Sequence, residues 1–309
     1  MNYDDIFAGA LRLLPEELRS CLVRMDERAK RSVEEIRLRT GTPMTVLLPE
    51  GERDMTTFCI TNHHIDSVID IATGSSVYAA RESMNAGYIT VRGGYRLGLC
   101  GSVIVRDGRA AGFKTVSSVN IRIPRDMTGL ADMIASDLWR SGRLMSTLIV
   151  SPPGAGKTTL LRDIVRTASY GDLAHGIIPQ RVSVADERGE IAAMSGGVPA
   201  MNVGPHTDVL DSCPRAEGVL MLLRAMSPEI IAFDEITAPA DALAAASASK
   251  CGVTLLATAH GCTVSDTAEK ELYRPLLESG VFDRVVFIEK RGEERRYRVY
   301  GRKEIIHAD

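Results

Sequence analysis

The sequence of 309 residues lacks the long apolar run, the basic leader and the paired cysteines that mark several classes of protein. No stretch approaches the ~18 apolar residues that a membrane-spanning helix needs, and the N-terminal residues are acidic where a signal peptide is basic. The six cysteines form no C-x-x-C pair, which argues against a disulfide framework or a structural zinc site. We therefore expect a cytoplasmic protein without a membrane span of its own, at most peripheral to a membrane.

The chain also lacks an excess of charge of one sign and is poor in aromatic residues. Its 37 Lys and Arg residues are balanced by 40 Asp and Glu residues, and aromatic residues make up 5%. Nucleic-acid-binding proteins commonly carry a basic surface, and single-strand binders stack bases on aromatic side chains. We therefore expect no nucleic-acid partner.

Length and composition predict two folded domains. Hydrophobic residues make up 45% of the chain and charged residues 25%, as in ordinary globular proteins. A single core seldom grows far beyond about 200 residues, so a chain of this length is expected to divide. We place the first domain at residues 1–128 and the second at residues 129–309.

The first domain has the pattern of an α+β fold with an antiparallel sheet. Strand-like runs alternate with turn dipeptides at Gly93–Gly94 and Asp107–Gly108, which is typical of hairpins. The stretch 33–48 predicts two further strands. Apolar residues at helical spacing predict three helices, over residues 4–19, 66–72 and 76–86. An interruption of the first helix at Pro15 is the alternative for that segment.

The second domain begins with a connecting helix predicted over residues 128–142 and then alternates short apolar runs with helical segments. Four of these runs read as strands: STLIV, RVSVAD, EIIAFD and VTLLATA. Strands that alternate with helices are typical of a parallel sheet covered on both faces. The predicted fold class is therefore α/β, with an N-terminal α+β domain followed by a domain with a mostly parallel sheet.

A glycine-rich loop directly after the STLIV run is the sharpest chemical signal in the chain. It opens a helix, and strand–loop–helix is the context in which such a loop binds phosphate. Glycines let successive N–H groups point at phosphate oxygens, and the helix dipole favours the same anion. The residues that we expect to bind the phosphates of ATP are Ser151, Pro152, Pro153, Gly154, Ala155, Gly156, Lys157, Thr158 and Thr159.

One position of the phosphate loop departs from the pattern G-x-x-x-x-G-K-[ST]. Ser151 stands where the first glycine is expected, and serine is tolerated there if the residue has a negative φ. Within the same loop, Lys157 is expected to neutralise the β- and γ-phosphates, and the Thr158 hydroxyl to ligate Mg²⁺.

Carboxylates follow two of the strand-like runs. Asp234 and Glu235 come after IIAF, where Asp234 is a candidate Mg²⁺ ligand and Glu235 a candidate for polarising the attacking water. Asp186 and Glu187 end the RVSVAD run, where they are candidates for positioning water or metal. Whether Glu235 or Glu187 is the base stays open at this point, and a solvated strand end is the alternative for the second pair.

Two further kinds of residue are candidates for contacts with the γ-phosphate. His260 ends an apolar strand, the edge at which ligands of open α/β sheets bind, and this placement favours a phosphate sensor over a structural histidine. ATPases that work between subunits need a positive charge from a neighbour. Among the arginines of the first domain, Arg122 and Arg125 are our preferred candidates, and plain surface arginines are the alternative.

The order of these elements resembles that in the type II/type IV secretion ATPases. There a phosphate loop is followed by an acidic box (here Asp186 and Glu187), an Asp-Glu strand (here ending in Asp234 and Glu235) and a His box (here His260). Within that group the finer sequence is similar to the stage III sporulation AA family of endospore-forming bacteria. The matching stretches are EEIRLR, GYRLGLCG, SVNIRIPRD, PPGAGKTTLLRDIVR, VADERGEIA, TDVLD, CPRAEGVLMLLRAMSPEIIAFDEI and ATAHG. They extend over nearly the whole chain, with Thr237 as a departure where relatives commonly have glycine.

This resemblance implies a RecA-like P-loop ATPase domain and a mechanoenzyme that hydrolyses ATP with Mg²⁺. It further implies a ring-shaped homo-oligomer, a hexamer, in the mother-cell cytoplasm. Its expected partners are membrane components of the sporulation stage III A channel between mother cell and forespore. A hinge near residues 126–129 would let the first domain move against the second.

Two other functions stay open from the sequence. A nucleic-acid-dependent motor ATPase would use the same core, although charge and aromatic content disfavour it. A nucleotide-gated scaffold that barely hydrolyses ATP is the non-enzymatic alternative, which Ser151 favours and the full set of carboxylates disfavours.

Overall fold

The computed structural model describes residues 3–74, 84–85, 87–91, 93–106, 108–124, 127–291, 294–302 and 304. The chain forms two compact units, the first comprising Met1–Asp126 with Ala193–Ala200 and the second Met127–Ala192 with Met201–Asp309. The segment 193–200 therefore groups with the first unit, although the predicted ranges assign it to the second. As a statement about independent domains, the division at residue 128 stays a prediction.

The first unit begins with short helices in place of the single helix predicted over 4–19. They are α1 (Tyr3–Leu11), α2 (Glu16–Val23) and α3 (Glu27–Ser32), followed later in the chain by α4 (Asn62–Thr73). Pro15 is the N-cap residue of α2, because proline has no N–H to donate within a helix and is suited to a helix start. The helix predicted over 76–86 falls largely outside the described residues.

The first unit also contains a six-stranded antiparallel sheet. Its strands are β1 (Glu35–Arg39), β2 (Thr45–Leu48), β3 (Gly51–Asp54), β4 (Tyr88–Val91), β5 (Tyr95–Arg106) and β6 (Arg109–Arg122). Their order is β3-β2-β1-β6-β5-β4, with every pair antiparallel. Ile36 and Leu38 on β1 are fully buried and alternate with polar residues, so one face packs against the helices and the other carries charge.

A seven-stranded sheet is the centre of the second unit. Its strands are β7 (Thr147–Ser151), β8 (Val182–Asp186), β9 (Thr207–Asp211), β10 (Ile230–Phe233), β11 (Thr254–His260), β12 (Arg284–Arg291) and β13 (Glu294–Gly301). The order is β9-β8-β10-β11-β7-β12-β13, and all neighbouring strands are parallel except β12 and β13. Every residue of β7, β8 and β10 is buried, as expected for a sheet covered on both faces.

Helices accompany this sheet. They are α5 (Ala135–Leu138), α6 (Lys157–Tyr170), α7 (Arg215–Ala225), α8 (Pro239–Lys250), α9 (Val264–Glu269) and α10 (Arg274–Glu278). The connecting helix predicted over 128–142 is shorter than expected: a 3₁₀ turn at Ala131–Ile134 precedes α5, and Trp139–Arg140 is already a strand. None of the helices in the described part of the chain combines the length and apolar character of a bilayer span.

The predicted fold class is confirmed. The structure is α/β, with an antiparallel sheet in the first unit and a mostly parallel sheet in the second. Within the second unit, β8, β10, β11 and β7 are consecutive parallel neighbours, so their carboxyl ends lie side by side at one edge. Ligands of open α/β sheets bind at this edge.

Candidate active site

The phosphate loop joins β7 to α6, as its sequence predicts. Gly154 and Gly156 both have positive φ, 72° and 104°, in the region that glycine adopts without steric cost. Ser151 does not adopt a positive φ, and its hydroxyl donates to the carbonyl of Pro152 at 2.9 Å. The serine therefore fits without strain at the position where the common pattern has glycine.

Lys157 is the first residue of α6 and is buried. Its Nζ donates to the carbonyl of Ser151 at 3.3 Å and lies 2.8 Å from Nδ1 of His260. Burial lowers the pKa of the lysine below its ordinary value, and the charges of Glu235 and Asp234 oppose that effect. A buried ammonium with only neutral hydrogen-bond partners is a group that an anion stabilises.

His260 connects the lysine to a carboxylate. A charged lysine only donates, so Nδ1 of His260 is the acceptor and the proton of the neutral ring lies on Nε2. Nε2 is 2.8 Å from Oε1 of Glu235 and donates to it. The three side chains thus form one hydrogen-bonded chain that joins the start of α6, the end of β11 and the loop after β10.

Asp234 lies between two threonine hydroxyls. Thr158 of the phosphate loop donates to Oδ2 at 3.2 Å, and Thr258 of β11 donates to Oδ1 at 2.8 Å. Thr258 also accepts the backbone N–H of Glu235 at 3.1 Å, which fixes the turn after β10. A hydroxyl and a carboxylate side by side are oxygen ligands of the kind that Mg²⁺ prefers, so Thr158 and Asp234 fit this ion.

Asp186 is tied to the backbone of its own loop. Its two carboxylate oxygens accept the N–H groups of Glu190, Ile191 and Ala192 at 2.8 to 3.2 Å. Burial raises the pKa of this carboxyl, and the hydrogen bonds from the three backbone N–H groups only partly offset this increase. In this structure Asp186 holds the loop that follows β8, and its catalytic role stays a prediction.

The same loop is held from α6. Arg162 is buried, and its guanidinium donates to the carbonyls of Ile191 and Glu190, both at 2.6 Å. Neighbouring Glu187 points instead to Arg215, with Oε2 and Nη2 3.0 Å apart. Glu187 is therefore engaged in an ion pair, whereas Glu235 belongs to the chain that contains Lys157 and His260.

The arginine candidates belong to the first unit. Arg122 lies on β6 with 64% of its side chain exposed, and its Nε donates to Oε1 of Glu35 at 3.0 Å. Arg125 falls outside the described residues. Their role at a neighbouring subunit's nucleotide stays a prediction.

Two cations at the phosphate loop were missed in the sequence. Arg295 donates to the carbonyl of Ala155 at 3.0 Å, and Lys290 to that of Gly154 at 3.4 Å. They are paired directly across the β12–β13 hairpin. Like charges placed opposite each other in a sheet are unfavourable, and the loop carbonyls are the acceptors that both cations contact here.

The fold is similar to that of solved ATPases of type II and type IV secretion. The Yersinia pseudotuberculosis ATPase DotB is similar over 95% of this chain and 82% of its own, with a TM-score of 0.62 and 16% identity. The pilus retraction motor PilT, solved with bound ADP, is similar over 90% of this chain and 84% of its own, with a TM-score of 0.53 and 16% identity.

The family follows from sequence. Residues 8–306 match the family described as Sporulation stage III, protein AA. The Stage III sporulation protein AA of Bacillus subtilis (strain 168) is 36% identical over 272 residues, which cover 88% of this chain and 87% of that protein. The chain belongs to the Sporulation stage III, protein AA family.

Proposed function

We propose that this protein is a Mg²⁺-dependent ATPase that converts ATP and water to ADP and phosphate. The observation that carries the proposal is one cluster at the carboxyl edge of the second sheet. There Lys157, His260 and Glu235 form one hydrogen-bonded chain, and Thr158 donates to Asp234. Thr258 joins the two sets, and all these distances are 2.8 to 3.2 Å. The same set of groups serves phosphoryl transfer in P-loop enzymes.

Each group has a part in the proposed reaction. The loop amides and Lys157 bind the β- and γ-phosphates, with Lys157 exchanging its two neutral partners for phosphate oxygens. Thr158 and Asp234 hold Mg²⁺, which supplies neutralisation of phosphate charge when bound. Glu235 orients the attacking water and accepts its proton as the water oxygen bonds to the γ-phosphorus. The bond from that phosphorus to the β–γ bridging oxygen breaks, and ADP leaves.

Glu235 is our choice of base over Glu187. Glu235 shares the hydrogen-bonded chain with Lys157 through His260, so water bound near the γ-phosphate is within its reach. Glu187 is paired with Arg215. His260 keeps Glu235 oriented and, once Lys157 moves to phosphate, is free to contact the γ-phosphate as a sensor.

The cellular role extends the family assignment. We place the protein in the mother-cell cytoplasm, peripheral to the membrane through components of the sporulation stage III A channel, whose assembly or transport it energises. It works as a homo-oligomeric ring, a hexamer, in which Arg122 or Arg125 of one subunit reaches the nucleotide of the next. A hinge near residues 126–129 transmits the motion.

The test is steady-state hydrolysis of MgATP, with native mass determined in the same buffer. We expect turnover and an ATP-favoured ring in the unaltered protein, and a loss on the order of 100-fold in Lys157→Ala and in Glu235→Gln. Lys250→Ala is the matched control, because Lys250 is exposed at the end of α8. Equal turnover in Lys157→Ala would refute the assignment.

The same assay separates the alternatives. Tight ATP binding without turnover, with or without membrane partners, would identify a nucleotide-gated scaffold. Turnover that rises with added DNA or RNA and falls with salt would identify a nucleic-acid motor.

A further inference from the structure

A buried ion network lies beside the proposed active site and has no part in the chemistry above. Its centre is Arg215, the first residue of α7, which is 6% exposed. The guanidinium contacts Glu187 at 3.0 Å through Nη2, and Asp241 and Thr237 at 3.3 Å each through Nη1. Arg215 therefore touches the residue after β8 and the loop after β10 at once.

Asp241 carries the connection into the backbone of that loop. It lies in the first turn of α8, and its Oδ2 accepts the N–H groups of Thr237 and Ala238, both at 3.0 Å. The Thr237 hydroxyl donates to the same oxygen at 3.4 Å. The segment that directly follows Glu235 is thus fixed by Asp241, and Asp241 is fixed by Arg215.

Thr237 has a use in this network. Its hydroxyl is an acceptor for Arg215 and a donor to Asp241. These two contacts add a link between Arg215 and the loop after β10.

A contribution to stability does not by itself explain why an arginine is buried at position 215. Buried ion pairs seldom stabilise a fold more than apolar side chains of the same volume would. In addition, Nε of Arg215 is buried without a hydrogen-bond partner in the described part of the chain, which is unfavourable. The contacts of Arg215 are with Glu187, just after β8, with Thr237 in the loop after β10, and with Asp241, which holds the backbone of that loop.

We propose that Arg215 is a positioning residue of the ATPase site. It joins the end of β8 to the loop after β10, and so holds Glu235 in the orientation that hydrolysis requires. Thr258 fixes the backbone at Glu235 itself, and the Arg215–Asp241–Thr237 network fixes it on the other side. In this arrangement Glu187 of the acidic box acts through Arg215 and does not handle water. The inference rests on the proposed function.

The kinetic test uses Arg215→Met and Arg215→Lys beside the control Arg224→Met, an exposed arginine of the same helix. We expect kcat for MgATP to fall about tenfold or more in Arg215→Met with KM changed less than about threefold, because orientation is lost and binding is not. Arg215→Lys restores part of the rate. An unchanged kcat, or a rise in KM that accounts for the whole effect, overturns the proposal.

A double-variant cycle tests the part assigned to Glu187. If Glu187 acts only through Arg215, adding Glu187→Gln to Arg215→Met lowers kcat by less than about twofold further. If Glu187 is itself the base, the second substitution abolishes the remaining turnover, and the proposal is wrong.

Amide hydrogen exchange keeps the proposal separate from the ATPase assignment. Thr237→Val removes one hydroxyl at an exposed position and leaves the fold at little risk. We expect the amides at positions 237 and 238 to exchange faster in Thr237→Val and Arg215→Met than in the unaltered protein. In Arg224→Met their exchange rates should be unchanged. Unchanged exchange in both variants overturns the network whatever the turnover. Absent turnover in the unaltered protein, with faster exchange in the variants, refutes the ATPase alone.

Discussion

The two sheets of this protein handle carboxylates in opposite ways. In the first unit Glu35 lies along a strand on the polar face of the antiparallel sheet, beside Arg37, Arg122 and Asn120. Burial raises its pKa, but the hydrogen bonds from Arg37 and Asn120 outweigh burial, so the net pKa is lowered. In the second unit Asp186 lies at the end of a fully buried strand, and burial raises its pKa although three amides donate to it.

The difference comes from which faces of each sheet are covered. A sheet with one open face accepts charge along its strands, because guanidinium groups on neighbouring strands lie opposite the carboxylates. A sheet covered on both faces leaves polar groups only the strand ends, where loops supply partners. The candidate site residues of the second unit therefore lie at one edge of its sheet, and the first sheet carries an extended ionic surface.

The largest effect that this comparison predicts is for Asp186→Ala. The change leaves the N–H groups of Glu190, Ile191 and Ala192 buried without their acceptor, which costs about 3 kcal/mol of unfolding free energy. Urea unfolding of the second unit checks it. A loss below about 1 kcal/mol would mean that water replaces the carboxylate and that the loop does not depend on it.

A smaller loss is expected for Glu35→Ala. Its carboxylate accepts from Arg37, Arg122 and Asn120, but these partners lie on a face from which water can solvate them, so the cost is about 1 to 2 kcal/mol. The matched control is Glu50→Ala, at an exposed glutamate of the same unit. If Glu35→Ala and Glu50→Ala lost equal amounts of unfolding free energy, the ionic contacts of Glu35 would contribute nothing to stability, and this prediction would be wrong.

The smallest effect is a difference in the sign of pH dependence. The hydrogen bond from Arg39 lowers the pKa of Glu52 from 4.5 to about 2, so its contribution is present above about pH 4.5 and lost as pH falls through 2. Because 36% of this side chain is exposed, we expect about 0.5 kcal/mol. The pKa of Asp186 is raised, so its contribution becomes more favourable as pH falls through the folded-state value.

The measurement is the unfolding free energy of Glu52→Gln and of Asp186→Asn between pH 7 and pH 3. Each value is compared with that of the unaltered protein at the same pH, and the difference is the stability deficit of the variant. The deficit of Glu52→Gln should shrink on acidification, while that of Asp186→Asn should grow. Deficits that move in the same direction would contradict the comparison.

Much of the fold is predictable because its signals are local. The phosphate loop needs only nine consecutive residues, Ser151 to Thr159, and each buried strand of the second sheet is an apolar run. The β12–β13 hairpin was missed because charged residues dominate its sequence. The break expected at Pro15 is present, since α1 ends at Leu11 and α2 begins at Glu16. Local sequence patterns therefore predict the apolar strands, whereas strands rich in charged residues are not recognised from such patterns.

The sequence predicts which residues belong to the candidate site. It does not predict which side chains within the site contact one another. Asp234, Glu235 and His260 stand at the ends of recognisable strands, so their common edge follows from a parallel sheet. The partners of Glu187 and Asp186 could not be read in this way. Which carboxylate meets Arg215 and which meets backbone amides depends on loop conformation, and no spacing in the sequence records it.

The position of β7 has a consequence for the order in which the protein is made. This strand carries the phosphate loop and is the first of its sheet to be synthesised, yet its two neighbours, β11 and β12, come from much later in the chain. The cations that contact the loop carbonyls lie 136 and 140 residues beyond them. On the ribosome the loop therefore emerges long before its support, and contacts of such long range form slowly. The contacts that brace the phosphate loop are therefore complete only when the last hairpin has paired.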